Sequence, residues 1–163
     1  MPEDKPILSG WRCDSCGETI SNLDAGRVEW LASADEQEMA KASGLRLVHS
    51  ERDSTRGSAP HGCRYEQRDE FRKNRKIVEG LPLERFVGPD GLVLILSLIA
   101  EHELPTEELL ELTRRVQIPG YEQARELFEQ ALCEGVVMPA LAPGYYLQCE
   151  LQDVLEWAIR KVE

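Results

Sequence analysis

The chain has 163 residues, 42% of them hydrophobic and 30% charged, a composition suited to one globular domain or two small ones and unlike low-complexity or collagen-like sequence. Its net charge of −11 is unevenly spread: residues 1–80 carry 13 Lys/Arg against 15 Asp/Glu, whereas residues 81–163 carry 6 against 15. So acidic a second half repels nucleic-acid phosphates and anionic lipid headgroups, which leaves any contact with a polyanion to the first half.

Residues 1–10 include two prolines, mix charges and contain no apolar stretch of the kind that makes a secretory signal. They predict a loose lead-in. Cys13-Asp14-Ser15-Cys16 follows, at the spacing that lets two sulfurs share one tetrahedral metal ion, with Gly17 placed where such a knuckle turns through positive φ. The alternation of Val28, Trp30 and Ala32 predicts a half-buried strand. Ser33-Ala34-Asp35-Glu36 reads as a capping box opening a short helix to about Ser43, with Gly44 as its stop. Leu45 to His49 alternates again and predicts a second strand. Ser50 to Gly62 is a polar loop. Cys63 to Glu79 has helical spacing and ends at Gly80 with Pro82 behind it.

The second half predicts mainly helices. Asp90 can cap one from about Gly91 to His102, apolar nearly all round and therefore expected at the centre of its domain. Its longest apolar run, Leu92 to Ala100, is interrupted by Ser97 and is far shorter than the roughly 20 residues a membrane span needs. Thr106 caps the next helix, with Glu107 and Glu108 in its first turn, Arg114 and Arg115 near its end, and Leu109, Leu112 and Val116 as its inner stripe. A third is expected from Tyr121 to Gly135, with Tyr121, Ala124, Phe128, Ala131 and Leu132 facing inward. Val136 to Cys149 suits a hairpin broken at Ala142-Pro143-Gly144. Leu151, Val154, Leu155, Ala158 and Val162 mark a last amphipathic helix.

The soft donors carry the clearest chemistry. Five cysteines, an odd number, in a chain with no export signal predict metal binding in a reducing, cytoplasmic setting over a disulfide framework. Cys13 and Cys16 with one histidine and Cys63 would close a Cys3His site, and such a set leaves a zinc ion no open position, so its role would be structural. For the histidine, His49 is preferred because a strand holds its backbone; His61, in a Pro-His-Gly loop two residues from Cys63, is the alternative. Cys133 and Cys149 lack neighbouring donors and read as small core residues.

A second pattern is basic. Arg64, Arg68, Arg72 and Lys76 step by four along the helix expected over residues 63–79, a possible phosphate-tracking stripe. Glu66, Asp69 and Glu70 interrupt it, and a charge-paired, solvated face is the competing reading. No nucleophile elbow, P-loop, dinucleotide fingerprint or His-Glu-x-x-His is present.

The knuckle followed by strands and a later Cys resembles treble-clef and zinc-ribbon modules, although thirteen residues separate His49 from Cys63 where those modules have two or three. The element order of residues 84–163 resembles a winged-helix domain, but its third helix offers Glu122, Glu126, Glu129 and Glu134 against Arg125 alone. The whole chain resembles small bacterial proteins that pair a cysteine-rich zinc module with a helical C-terminal domain. The expectation is an α+β chain: a zinc module over 8–80 and an acidic, mainly α-helical, winged-helix-like domain over 81–163, meeting at Gly80–Pro89. The expected function is non-catalytic and regulatory, docking onto a protein partner or a second copy. The alternative is a nucleic-acid-associated regulator using the basic helix.

Overall fold

The structure, a computed structural model, describes residues 10–35, 42–51 and 62–162. It is a mixed α+β chain of two compact units, Gly10–Thr113 and a second beginning at Arg114, with the division inside a helix. The expected seam at Gly80–Pro89 lies within the first unit.

That unit is built on strand β3 (Gly26–Ser33), which pairs antiparallel with β4 (Ser43–His49) on one side and β5 (Lys76–Pro82) on the other. β3 takes the centre because both its faces find cover: Val28 and Trp30 are buried on one, Glu29 on the other. The Trp30 indole N–H donates to Glu79 Oε2 across the β3–β5 pair at 3.0 Å. Two short strands, β1 (Trp11–Arg12) and β2 (Thr19–Ile20), pair around the cysteine knuckle. The capping box and helix expected over Ser33–Ser43 fall largely on residues 36–41, outside the described residues. At the ends of that span Ser33 closes β3 and Ser43 opens β4.

The helix expected over 63–79 is half as long and changes into a strand. α1 spans Gln67–Asn74, Arg75 turns left-handed (φ 53°), and the chain returns as β5. The β-branched Ile77-Val78 pair favours the extended form, and β3 offers an open edge for all seven residues of β5, so pairing overrides the helical spacing. The basic ladder is broken with it. Arg68 and Arg72 share α1, Arg64 precedes it beside Glu29, and Lys76 belongs to β5. On α1 itself Asp69 pairs with both Arg72 and Lys73.

Both outer edges of the sheet are occupied by side chains. On β4, the Leu45 N–H donates to Glu108 Oε2 (2.9 Å) and the Leu47 N–H to Asp14 Oδ2 (2.7 Å). On β5, the Val78 N–H donates to Gln67 Oε1 (2.8 Å), whose amide nitrogen reaches the Lys76 carbonyl at 3.4 Å. Each side chain stands where the peptide of a further strand would.

After a 3-10 turn at Leu83–Phe86 comes α2 (Gly88–Glu101), capped by His102 in the left-handed region. Gly91 lies so close to Phe86 that a Cβ there would sit 2.2 Å from the Phe86 carbonyl carbon. This contact buries one side of the helix only. Gly91 and Ile95 are buried, whereas Leu92, Val93 and Leu96 are exposed, so α2 is not the enclosed element its composition predicts. α3 spans Thr106–Gln117.

In the second unit the expected third helix is two, α4 (Tyr121–Ala124) and α5 (Phe128–Cys133), separated by a tight turn in which the Leu127 N–H bonds to the Ala124 carbonyl. The inner stripe survives the break: Tyr121, Ala124 and Ala131 join Val137, Leu151 and Val154 in one core, with Phe128 and Leu132 against it. α6 (Gln148–Val162) supplies the last two. Glu122 is not a surface acid; it is buried and takes two hydrogen bonds from the equally buried Arg115 (2.7 and 2.9 Å). Residues 136–147 contain no strand, so the hairpin, and with it the wing of a winged helix, is missing. Pro139 and Pro143 lack the N–H groups a ladder needs, and Tyr146 instead stacks on Phe128 at 4.0 Å. Cys133 and Cys149 are exposed, not core.

Candidate metal centre

The knuckle is shaped by its own backbone. The Cys13 N–H donates to the Glu18 carbonyl, and the Gly17 N–H to the Cys13 carbonyl, both at 2.9 Å. That tight return sends Gly17 to φ 79°, the conformation expected of it and one that a side chain would strain. β4 brings the imidazole: His49, its last residue, is 3% exposed and pairs with Gly26 across the sheet. Cys63 arrives on the turn before α1 and is fully buried.

Cys13, Cys16, His49 and Cys63 thus converge, with one ligand atom from each lying within 4.8 Å of the others, and the four could hold a metal ion. Cys16 Sγ is 3.5 Å and Cys63 Sγ 3.8 Å from the same nitrogen, His49 Nδ1. The other ring nitrogen, Nε2, is 3.2 Å from the Thr19 carbonyl oxygen. A carbonyl can only accept, so it fixes the proton on Nε2 and leaves the Nδ1 lone pair for a metal. His61 lies outside the described residues.

Burial pushes the Cys13 thiol above its ordinary pKa, an effect that hydrogen bonds from neighbouring backbone groups partly offset. A bound cation reverses this balance, because a coordinated sulfur is a thiolate. Only Cys16 is partly exposed among the four.

A charged cluster beside the site holds Cys63. Glu29, with no exposed surface, accepts from Arg46 Nε and Nη2 (2.9 and 2.7 Å) and from the Tyr65 N–H (2.9 Å). Arg46 Nη2 also donates to the Cys63 carbonyl at 3.0 Å, and its guanidinium lies over the Tyr65 ring at 3.5 Å. The segment 63–65 is therefore tied to both β3 and β4. Sequence reasoning missed this cluster because alternation assigns Glu29 to a solvent face. The available signal was cross-strand: Glu29 and Arg46 sit at corresponding places in two neighbouring predicted strands.

No protein-family profile, curated protein or solved structure matches the chain.

Proposed function

We propose that the chain is a non-catalytic interaction protein of regulatory type, in which Cys13, Cys16, His49 and Cys63 hold one structural zinc and apolar surfaces dock a protein partner or a second copy. The convergence of those four donors carries the reading. Three thiolates and an imidazole suit zinc in tetrahedral coordination and fill all four positions, so no site is left for a reacting water. A knuckle between short strands, completed by a strand-end histidine and a cysteine from a later turn, supports a zinc-ribbon or treble-clef type of module.

The docking part rests on exposed apolar surface. On α2, Val93 and Leu96 are 63% and 55% exposed beside Leu92, and Ser97, one turn on from Val93, donates its hydroxyl to the Val93 carbonyl. In the second unit, residues 136–148 carry no charge and expose Met138, Leu141, Tyr145 and Leu147. Exposed apolar side chains grouped in this way on one helix or one short segment favour a place where proteins meet. A nucleic-acid surface along residues 63–79 finds no support, since its cations point from three different elements.

Metal analysis of the purified chain tests the first part, with one equivalent of zinc expected. Sedimentation and partner capture, comparing wild type with Val93→Asp/Leu96→Asp, test the second. The variant should keep its zinc and its helical signal but associate less. Metal-free wild type overturns the zinc centre, and undiminished association overturns α2 as the docking face.

A further inference from the structure

We propose that Asp14 is a positioning residue that sets the cysteine knuckle against His49 before any metal arrives. The inference rests on the metal centre proposed above. Asp14 lies between the two knuckle cysteines, and it bonds twice to one residue of β4. Its N–H donates to the Leu47 carbonyl at 2.8 Å, and its Oδ2 accepts from the Leu47 N–H at 2.7 Å. That is the two-point exchange of an antiparallel ladder, with a carboxylate oxygen in place of a carbonyl.

The position of this contact makes it matter for the metal. Strand residues two apart turn the same way, so Leu47 and His49 direct their side chains to one face. Anchoring Asp14 at Leu47 therefore places Cys13 and Cys16 one step from the imidazole. The knuckle's own hairpin does little to hold it there: β1 and β2 pair over two residues each, and a ribbon that short is marginal alone. Leu47 is fully buried, so its N–H requires an acceptor, and Asp14 provides one. The Cys16 Sγ to His49 Nδ1 distance in that arrangement is 3.5 Å. A site assembled in this way binds its ion without first ordering the chain.

The test compares wild type, Asp14→Ala and Asp14→Asn by zinc competition against a chromophoric chelator, and by the visible spectrum of the cobalt-substituted chains. Asp14→Ala should bind zinc about 10–100-fold more weakly, as loss of an outer-shell support does. Asp14→Asn keeps an oxygen at the same place and should restore affinity close to wild type. All three cobalt spectra should agree, because the four ligands are unchanged. A purely fold-supporting role would lower the urea midpoint of Asp14→Ala without moving its zinc affinity, and that result overturns the proposal. So does an Asp14→Asn as weak as Asp14→Ala, which would assign the effect to charge. Wild type that binds no zinc removes this proposal and the metal centre together, whereas tight wild-type binding with an unaffected Asp14→Ala removes this one alone.

Discussion

Glu29 and Arg46 oppose each other across β3 and β4 and meet through two hydrogen bonds of 2.9 and 2.7 Å to the same carboxylate oxygen. The carboxylate is wholly enclosed, whereas the Arg46 side chain keeps 21% of its surface in solvent. Loss of the two partners should therefore not be equivalent. Arg46→Met leaves a buried negative charge with Arg64 as the remaining cation at 3.8 Å, and should cost about 3–5 kcal/mol. Glu29→Gln leaves a guanidinium that water can reach, and should cost less. Urea denaturation of the two variants in the metal-loaded state measures the order; a larger loss for Glu29→Gln would contradict it.

Removal of the metal should act on one unit only. Binding at structural sites of this type contributes on the order of 10–16 kcal/mol at neutral pH, as much as a whole small domain. Because the three-stranded sheet has packing of its own, chelation should loosen the knuckle and lower the urea midpoint of its unit without unfolding it, while the core of Tyr121, Ala131, Leu151 and Val154 stays protected from hydrogen exchange. Cys63→Ser and His49→Ala should lose the metal. Cys133→Ser and Cys149→Ser, at exposed positions far in sequence from the knuckle, should retain it. Mass spectrometry under native conditions reads each case.

The pH dependence should change sign with metal content. Without metal, burial raises the Cys13 thiol pKa, so the folded chain keeps a proton that the unfolded chain releases. Stability is then full below the unfolded thiol pKa and declines as pH climbs through the folded one. With metal bound the thiolates must stay deprotonated, and acidification is the destabilising direction. Urea midpoints of both forms from weakly acidic to strongly alkaline pH should diverge in this way. Parallel curves would mean that the thiols are not ligands.

Residue spacing made the four-donor cluster legible because Cys13, Cys16, His49 and Cys63 are nearly all the soft donors in the first half of the chain. The strands at Val28–Ala32 and Leu45–His49 were legible from alternation. The strand at Lys76–Pro82 was not, because its charged residues also fit a helical ladder and only β3, distant in sequence, decides between the two. The exposure of Leu92, Val93 and Leu96 was equally hidden, since periodicity reports which faces are apolar and not which faces find a neighbour. The hairpin over 136–149 failed for a local reason that could have been weighed: two prolines within a short span.

Gln67 offers a test of the sheet's outer edge. Gln67→Leu removes the acceptor for the Val78 N–H and the donor to the Lys76 carbonyl. The loss should be about 1 kcal/mol because water can reach the freed groups. Amide exchange at Val78 should quicken while the β3 amides stay protected; unchanged exchange at Val78 would show that the side chain does not cover it.

The three edge-covering side chains sit on three separate pieces of the chain: Asp14 on the knuckle, Glu108 on α3 and Gln67 on α1. An incoming strand needs several consecutive open rungs to grip, and no single event uncovers that many. Departure of the ion and loosening of the knuckle would bare Leu47 while Glu108 still blocks Leu45 and Gln67 still blocks the opposite edge. Were a bound ion to leave the four-donor cluster, these remaining covers would keep the sheet's edges from pairing with a further strand. If the cluster binds its ion reversibly, that cover protects the empty state as affinity protects the full one.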